Sequence, residues 1–135
     1  MSDDPNANFW RLSSGTPWES IAGFSRAVRV GSLVCVSGTT ASDQQGRTVH
    51  PGDARGQALF VLERIRASLE AAGAQLRDVV RTRIYIVSYD HWEEVARAHG
   101  EVFGDIRPAN SLVVVRSLVP SDALVEIEAD AVVGG

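Results

Sequence analysis

The sequence predicts an α+β domain in the order βββαβαββ, one sheet with two helices on one of its faces. Three observations predict it. Two apolar stripes at helical spacing are embedded among β-branched runs. Short alternating segments surround them, with turn residues where the chain must reverse. The 135 residues, 44% of them apolar, suit one folding unit and leave little room for two. Residues 1–8 read as a disordered polar tail, and residues 9–135 as a single domain.

Each element has its own local reason. Phe9 to Leu12 is a short apolar strand, and Ser13 to Pro17 carries a loop signature. Arg26 to Val30 and Leu33 to Ser37 are strands. Gly31-Ser32 joins them as a two-residue turn with glycine first, the type II′ preference. Residues 41–52 are loop. Asp53 is placed to cap a helix whose stripe is Ala58, Leu62, Ile65, Leu69 and Ala72, ended by Gly73. Val79 to Val87 is a β-branched strand. Asp90 is expected to cap a second helix, with Trp92, Val95, Ala96, Val102 and Phe103 inward and Gly104 at its end. Ser111 to Arg116 and Leu124 to Val133 are the last strands, separated by a turn at Val119 to Asp122.

Composition removes several function classes. Thirteen basic against seventeen acidic residues give a net charge of −4, which disfavours nucleic acid and anionic membrane surfaces. No apolar run has the length of a membrane span. The acidic start, Met1-Ser2-Asp3-Asp4, is no signal peptide, and a lone Cys35 permits no internal disulfide, so a cytoplasmic location is expected. The chain contains no lysine, which excludes Schiff-base chemistry from a lysine amine. His50, His91 and His99 fall in no metal-binding spacing, and no nucleotide-binding glycine motif occurs, so neither a metal nor an organic cofactor is indicated.

Strand alternation then sorts the polar groups. In the last strand Val125, Ile127, Ala129 and Ala131 share one side, and Glu126, Glu128 and Asp130 the other. In the fourth, Val80, Thr82, Ile84 and Ile86 oppose Arg81, Arg83 and Tyr85. The charged side is either solvated or a self-association surface with cross-strand ion pairs. Glu126 leads that side and is the best acid–base candidate; the competing role is an ion pair with Arg81 or Arg83. Cys35 reads as a packed thiol and His99 as a partly buried structural histidine. Ser37 precedes Gly38 at a strand end, where a hydroxyl can reach a pocket. Trp18 and Glu19 are either a pocket rim or a loop anchor.

Five stretches carry a resemblance: Gly23-Phe24-Ser25-Arg26-Ala27-Val28, Val36-Ser37-Gly38-Thr39-Thr40, Asp78-Val79-Val80-Arg81-Thr82, Arg107-Pro108-Ala109-Asn110-Ser111 and Val125-Glu126-Ile127-Glu128-Ala129. In this order, over residues 20–133, the chain resembles the RidA/YjgF family. The resemblance implies a chorismate-mutase-like fold with one mixed sheet. It also implies a homotrimer with sheets inside, helices outside and a small-molecule cleft between neighbouring subunits. Its best-known members hydrolyse reactive enamines or imines such as 2-aminoacrylate, removing damaging metabolites without a cofactor.

The family's site residues carry over unevenly. Ser37, Gly38 and Glu126 are retained, and Glu126 would help position water. Asn110 stands where deaminase-type members carry the arginine that forks the substrate carboxylate. Leu112 stands where many have cysteine, and Phe24 where the pocket has tyrosine. Phe24, Ser37, Asn110, Leu112 and Glu126 are expected to converge on one pocket at a subunit boundary. Arg26 would lie near its mouth, either binding an anion or forming a structural ion pair. The expected activity is a cofactor-free hydrolase or deaminase of a small enamine, imine or related carbonyl compound. The alternatives are a non-catalytic small-molecule binder and, disfavoured by charge, a ribonuclease or translation inhibitor.

Overall fold

Six strands form one mixed sheet in the computed structural model, which describes residues 9–134; the expected disordered tail lies outside the described residues. The strands are β1 (Phe9–Leu12), β2 (Ala27–Val30), β3 (Leu33–Thr40), β4 (Val79–Ile86), β5 (Ala109–Val114) and β6 (Val125–Val132). Their spatial order is β1-β2-β3-β6-β4-β5. All neighbours are antiparallel except β4 and β5. A parallel pair needs a crossover, and α3 (Trp92–Phe103) supplies it.

The helix α2 (Ala54–Ala71) is built as its sequence dictates. The Asp53 carboxylate accepts the Gly56 N–H at 2.9 Å. Ala58, Val61, Leu62, Ile65 and Leu69 are fully buried against the sheet. Each of the larger ones contributes roughly 1.5–3 kcal/mol. Gln57 is buried among them with its hydrogen-bonding capacity used: its amide donates to the His50 carbonyl at 3.2 Å, and its oxygen accepts the Leu124 N–H at 2.8 Å. Gly73, at φ 81°, turns the chain out of the helix. Of the hairpin residues Gly31 and Ser32, only Gly31 has a positive φ, as the type II′ assignment requires.

Several local expectations are corrected. A third helix, α1 (Pro17–Ala22), occupies a region that reads as loop. It is six residues long and buries none of them, so it leaves no apolar stripe to detect. Asp90 does not cap α3. It lies in a 3₁₀ turn, Tyr89–His91, whose cap is the Ser88 hydroxyl accepting the Asp90 N–H at 3.2 Å. Val80 is exposed and Val79 buried, because the β4–β6 register shifts between Val79 and Arg81 and inserts one residue. Cys35 is exposed on the open side of β3, not packed in the core. Partial burial of its sulfur, and then the charge of Asp130, with which it pairs in register, push its thiol pKa up.

The remaining alternation holds. Val125, Ile127, Ala129 and Ala131 are buried under the helices. On the other side Arg83 reaches Asp130 at 3.3 Å and Glu128 at 3.5 Å, and the Tyr85 hydroxyl donates to Glu128 at 2.8 Å. These part-exposed ion pairs are worth about 1 kcal/mol or less each in a single chain.

Candidate functional site

Glu126 is the second residue of β6, opposite Tyr85 on β4 and Thr40 on β3. The β3 register shifts between Val36 and Thr39, so Ser37 and Gly38 sit in an irregular stretch beside the start of β6. The Glu126 carboxyl lies directly over Gly38. A Cβ at that glycine would stand 3.0 Å from the Glu126 Cδ and closer still to Oε2. Here glycine is required by close approach and not by backbone angle.

Arg26, just before β2, reaches across this stretch. Its Nη2 donates to the Gly38 carbonyl at 2.6 Å, while its Nε is buried without a hydrogen-bond partner. Arg64 of α2 donates from Nη1 to the Ser42 carbonyl at 2.8 Å. Arg26, Arg64, Gly38, Thr40, Ser42 and Glu126 line a cavity of about 90 Å³. A wider hollow of about 460 Å³ adjoins it, walled by Trp18, Ile21, Phe24, Leu118 and Val119, with Glu126 again on its lining. The carboxyl therefore stands where a small polar chamber meets a larger apolar one. Among the described residues no hydrogen bond reaches it. Burial pushes its pKa up, Arg26 pulls it down, Glu128 adds a smaller upward push, and the net shift is upward. Such a carboxyl keeps its proton to higher pH than an exposed one, which suits it to give and take a proton.

The sequence-derived site residues divide into two groups. Glu126, Gly38, Arg26 and Phe24 meet. Arg26 is not at the mouth but inside, because its guanidinium is drawn to the Gly38 carbonyl. The Ser37 hydroxyl turns away and donates to the Ser25 carbonyl at 2.6 Å. Asn110 and Leu112 lie on the opposite face of the sheet. Asn110 pairs in register with Thr82, and its Nδ2 donates to Thr82 Oγ1 at 2.9 Å. Thr82 Oγ1 also lies 2.8 Å from His99 Nε2, so the three side chains form one hydrogen-bonded chain. Burial lowers the His99 pKa. Leu112 walls a separate hollow of about 380 Å³ with Tyr89, Trp92, Ala96 and Val114. Within one chain the Asn110 and Glu126 sides therefore face apart, and only a second copy could bring them to one pocket.

Trp18, expected as a rim or a loop anchor, lines both chambers, and Arg64, Thr40, Ser42 and Val119 join the lining with no signal in the sequence. Arg64 offered no signal, since it lies in a helix dense with charge. Among the described residues no three His, Cys, Asp or Glu side chains are placed to share a metal ion. No described helix is long and apolar enough to cross a membrane.

Fold and site together define an α+β domain whose recess is built around a desolvated carboxyl. Comparison with known proteins makes the class specific. Residues 15–133 match the family model described as Endoribonuclease L-PSP. A solved structure from Mycobacterium tuberculosis, of a member of the YjgF/YER057c/UK114 family, is 47% identical, with a TM-score of 0.84 over 93% of this chain and 99% of that one. The 3-aminoacrylate deaminase RutC of Acinetobacter baylyi is 36% identical over 86% of this chain and 90% of its own length. A RutC family protein of Pyrococcus abyssi is 36% identical over 82% and 87%. The chain belongs to the RidA/YjgF family.

Proposed function

We propose that the protein is a cofactor-free hydrolase of the deaminase type, acting on a small enamine or imine in a cleft that neighbouring copies of a homotrimer complete. The observation that carries this is the Glu126 carboxyl, raised in pKa, free of hydrogen-bond partners among the described residues and shared by two adjoining chambers.

The chemistry follows from that carboxyl. In its neutral form it protonates the enamine β-carbon: the C=C pair becomes the new C–H bond and the nitrogen lone pair forms C=N. The resulting carboxylate takes a proton from water as the oxygen attacks the imine carbon, giving a carbinolamine. Glu126 then passes that proton to the amine nitrogen, the C–N bond breaks as the hydroxyl oxygen closes C=O, and ammonia leaves while the hydroxyl proton returns to Glu126. One water is consumed, and Glu126 returns to its starting form.

The trimer supplies the rest. The edge strand β5 leaves Val113 and Val114 about half exposed, at 45% and 50%. Docking that edge beside a neighbour's Glu126 recess would unite the Asn110–Leu112 group with it. The 3-aminoacrylate deaminase relative supports the reaction class. The neutral Asn110, tied inward to Thr82, favours the second reading, a small-molecule binder without turnover. The charged open face, with Glu126, Glu128 and Asp130 against Arg83, disfavours ribonuclease activity.

Ammonia release from 2-aminoacrylate and 3-aminoacrylate generated in the assay tests the proposal. Turnover lost in Glu126→Gln supports it. A ligand-induced thermal shift without turnover replaces it with the binder.

A further inference from the structure

We infer that Arg26 and Arg64 together form the receptor for the anionic end of the ligand, so that the site takes a small molecule bearing a carboxylate or similar oxyanion, held from within the same chain as Glu126. The inference deepens the proposed function and rests on it only for the reaction, not for the binding.

Four observations carry it. Two guanidiniums line one cavity of about 90 Å³, room for an oxyanion group but not for a whole metabolite. Neither makes an ion pair among the described residues, unlike Arg55, Arg66, Arg83 and Arg97. Each spends a donor on a backbone carbonyl, which fixes its direction without neutralising it. The Arg26 Nε is buried and unpartnered, a cost that an incoming acceptor would remove. Burial first, and then the nearby Arg64, depress the Arg26 pKa, so the two cations repel each other, while Glu19 and Glu126 push it up. An anion between them relieves the repulsion. With its charged end there, a ligand's short apolar part extends past Glu126 into the hollow walled by Trp18, Phe24 and Val119. The neutral Asn110, on the opposite face of the sheet, is then not needed for charge recognition.

The test is equilibrium binding of pyruvate, pyruvamide and methyl phosphate to the intact protein by calorimetry. Wild type binds one of the two anions at least tenfold more tightly than pyruvamide. The preferred anion identifies the site as a carboxylate or a phosphoryl receptor. Arg64→Gln weakens that anion at least tenfold and Arg64→Lys less, because lysine keeps the charge but loses the fork. Arg97→Gln, on the exposed face of α3, controls for net charge and leaves binding unchanged. Arg26→Lys gives a second reading if the glutamine variant is unstable. Equal binding of pyruvamide, unchanged affinity in both Arg64 variants and Arg26→Lys, or no binding by wild type overturns the receptor. Binding that depends on Arg64 without ammonia release would overturn the deaminase reading and leave the receptor standing. Turnover that is indifferent to Arg64 would do the reverse.

Discussion

Replacing Gly38 by alanine separates position from stability at this site. The added Cβ would stand 3.0 Å from the Glu126 Cδ, where carbon atoms prefer about 3.5–4.0 Å. The carboxyl must therefore retreat by roughly 1 Å once its oxygen is included. What retreats is the tip of a flexible side chain, so the folding cost sits at or below the lower end of the ~1–3 kcal/mol typical of overpacking. Alanine also narrows the unfolded ensemble, which returns ~0.4–1 kcal/mol. The melting temperature should move by less than about 4 °C. Catalysis is less forgiving, because a displacement of that size can cost on the order of 100-fold in kcat/KM. Steady-state ammonia release and thermal melts on the same preparations measure both. In a Glu126→Ala background the clash has no partner, and Gly38→Ala should then be neutral or slightly stabilising. Activity of Gly38→Ala within threefold of wild type, with unchanged melting, would refute the argument that the carboxyl must sit where glycine lets it.

Further outcomes follow from the same structure. Light scattering at micromolar concentration should give the mass of three chains, and a monomer mass would remove the shared cleft. Because the Glu126 pKa is raised and its neutral form is the donor, kcat/KM should fall as pH rises through that raised value; a flat profile across pH 4–9 would exclude the role. The lowered His99 pKa means the unfolded chain binds a proton more readily than the folded one. Its contribution to stability is therefore complete above the unfolded value of about 6.5 and lost as pH falls below it. Denaturant midpoints from pH 8 to 5 should drop, and His99→Gln should flatten the slope.

Local rules made much of this protein legible before any coordinates. The stripe from Ala58 to Ala72, the Asp53 cap and the Gly73 stop depend only on neighbours in the chain, and the helix formed where they put it. Alternation placed Val125, Ile127, Ala129 and Ala131 inward, because a paired strand has no other period available. Glu126 could be picked out because it is the first carboxylate on the polar side of that strand. What alternation cannot foresee is a residue inserted into a ladder. The register shifts at Val79/Arg81 and Val36/Thr39 exposed Val80 and set Gly38 under Glu126. Nor can a strand report which sheet face a distant strand shares with it. Asn110 and Glu126 fall on opposite faces because β5 pairs in parallel register with β4, Asn110 beside Thr82, while Glu126 lies beside Tyr85. Arg26 and Arg64 are thirty-eight positions apart, on a loop and a helix, and no pattern in either segment refers to the other. Sequence determined what each segment could bury and which groups it left polar, since those are short-range properties. Tertiary packing decided which polar groups met, since that depends on register and on contacts between segments far apart in the chain.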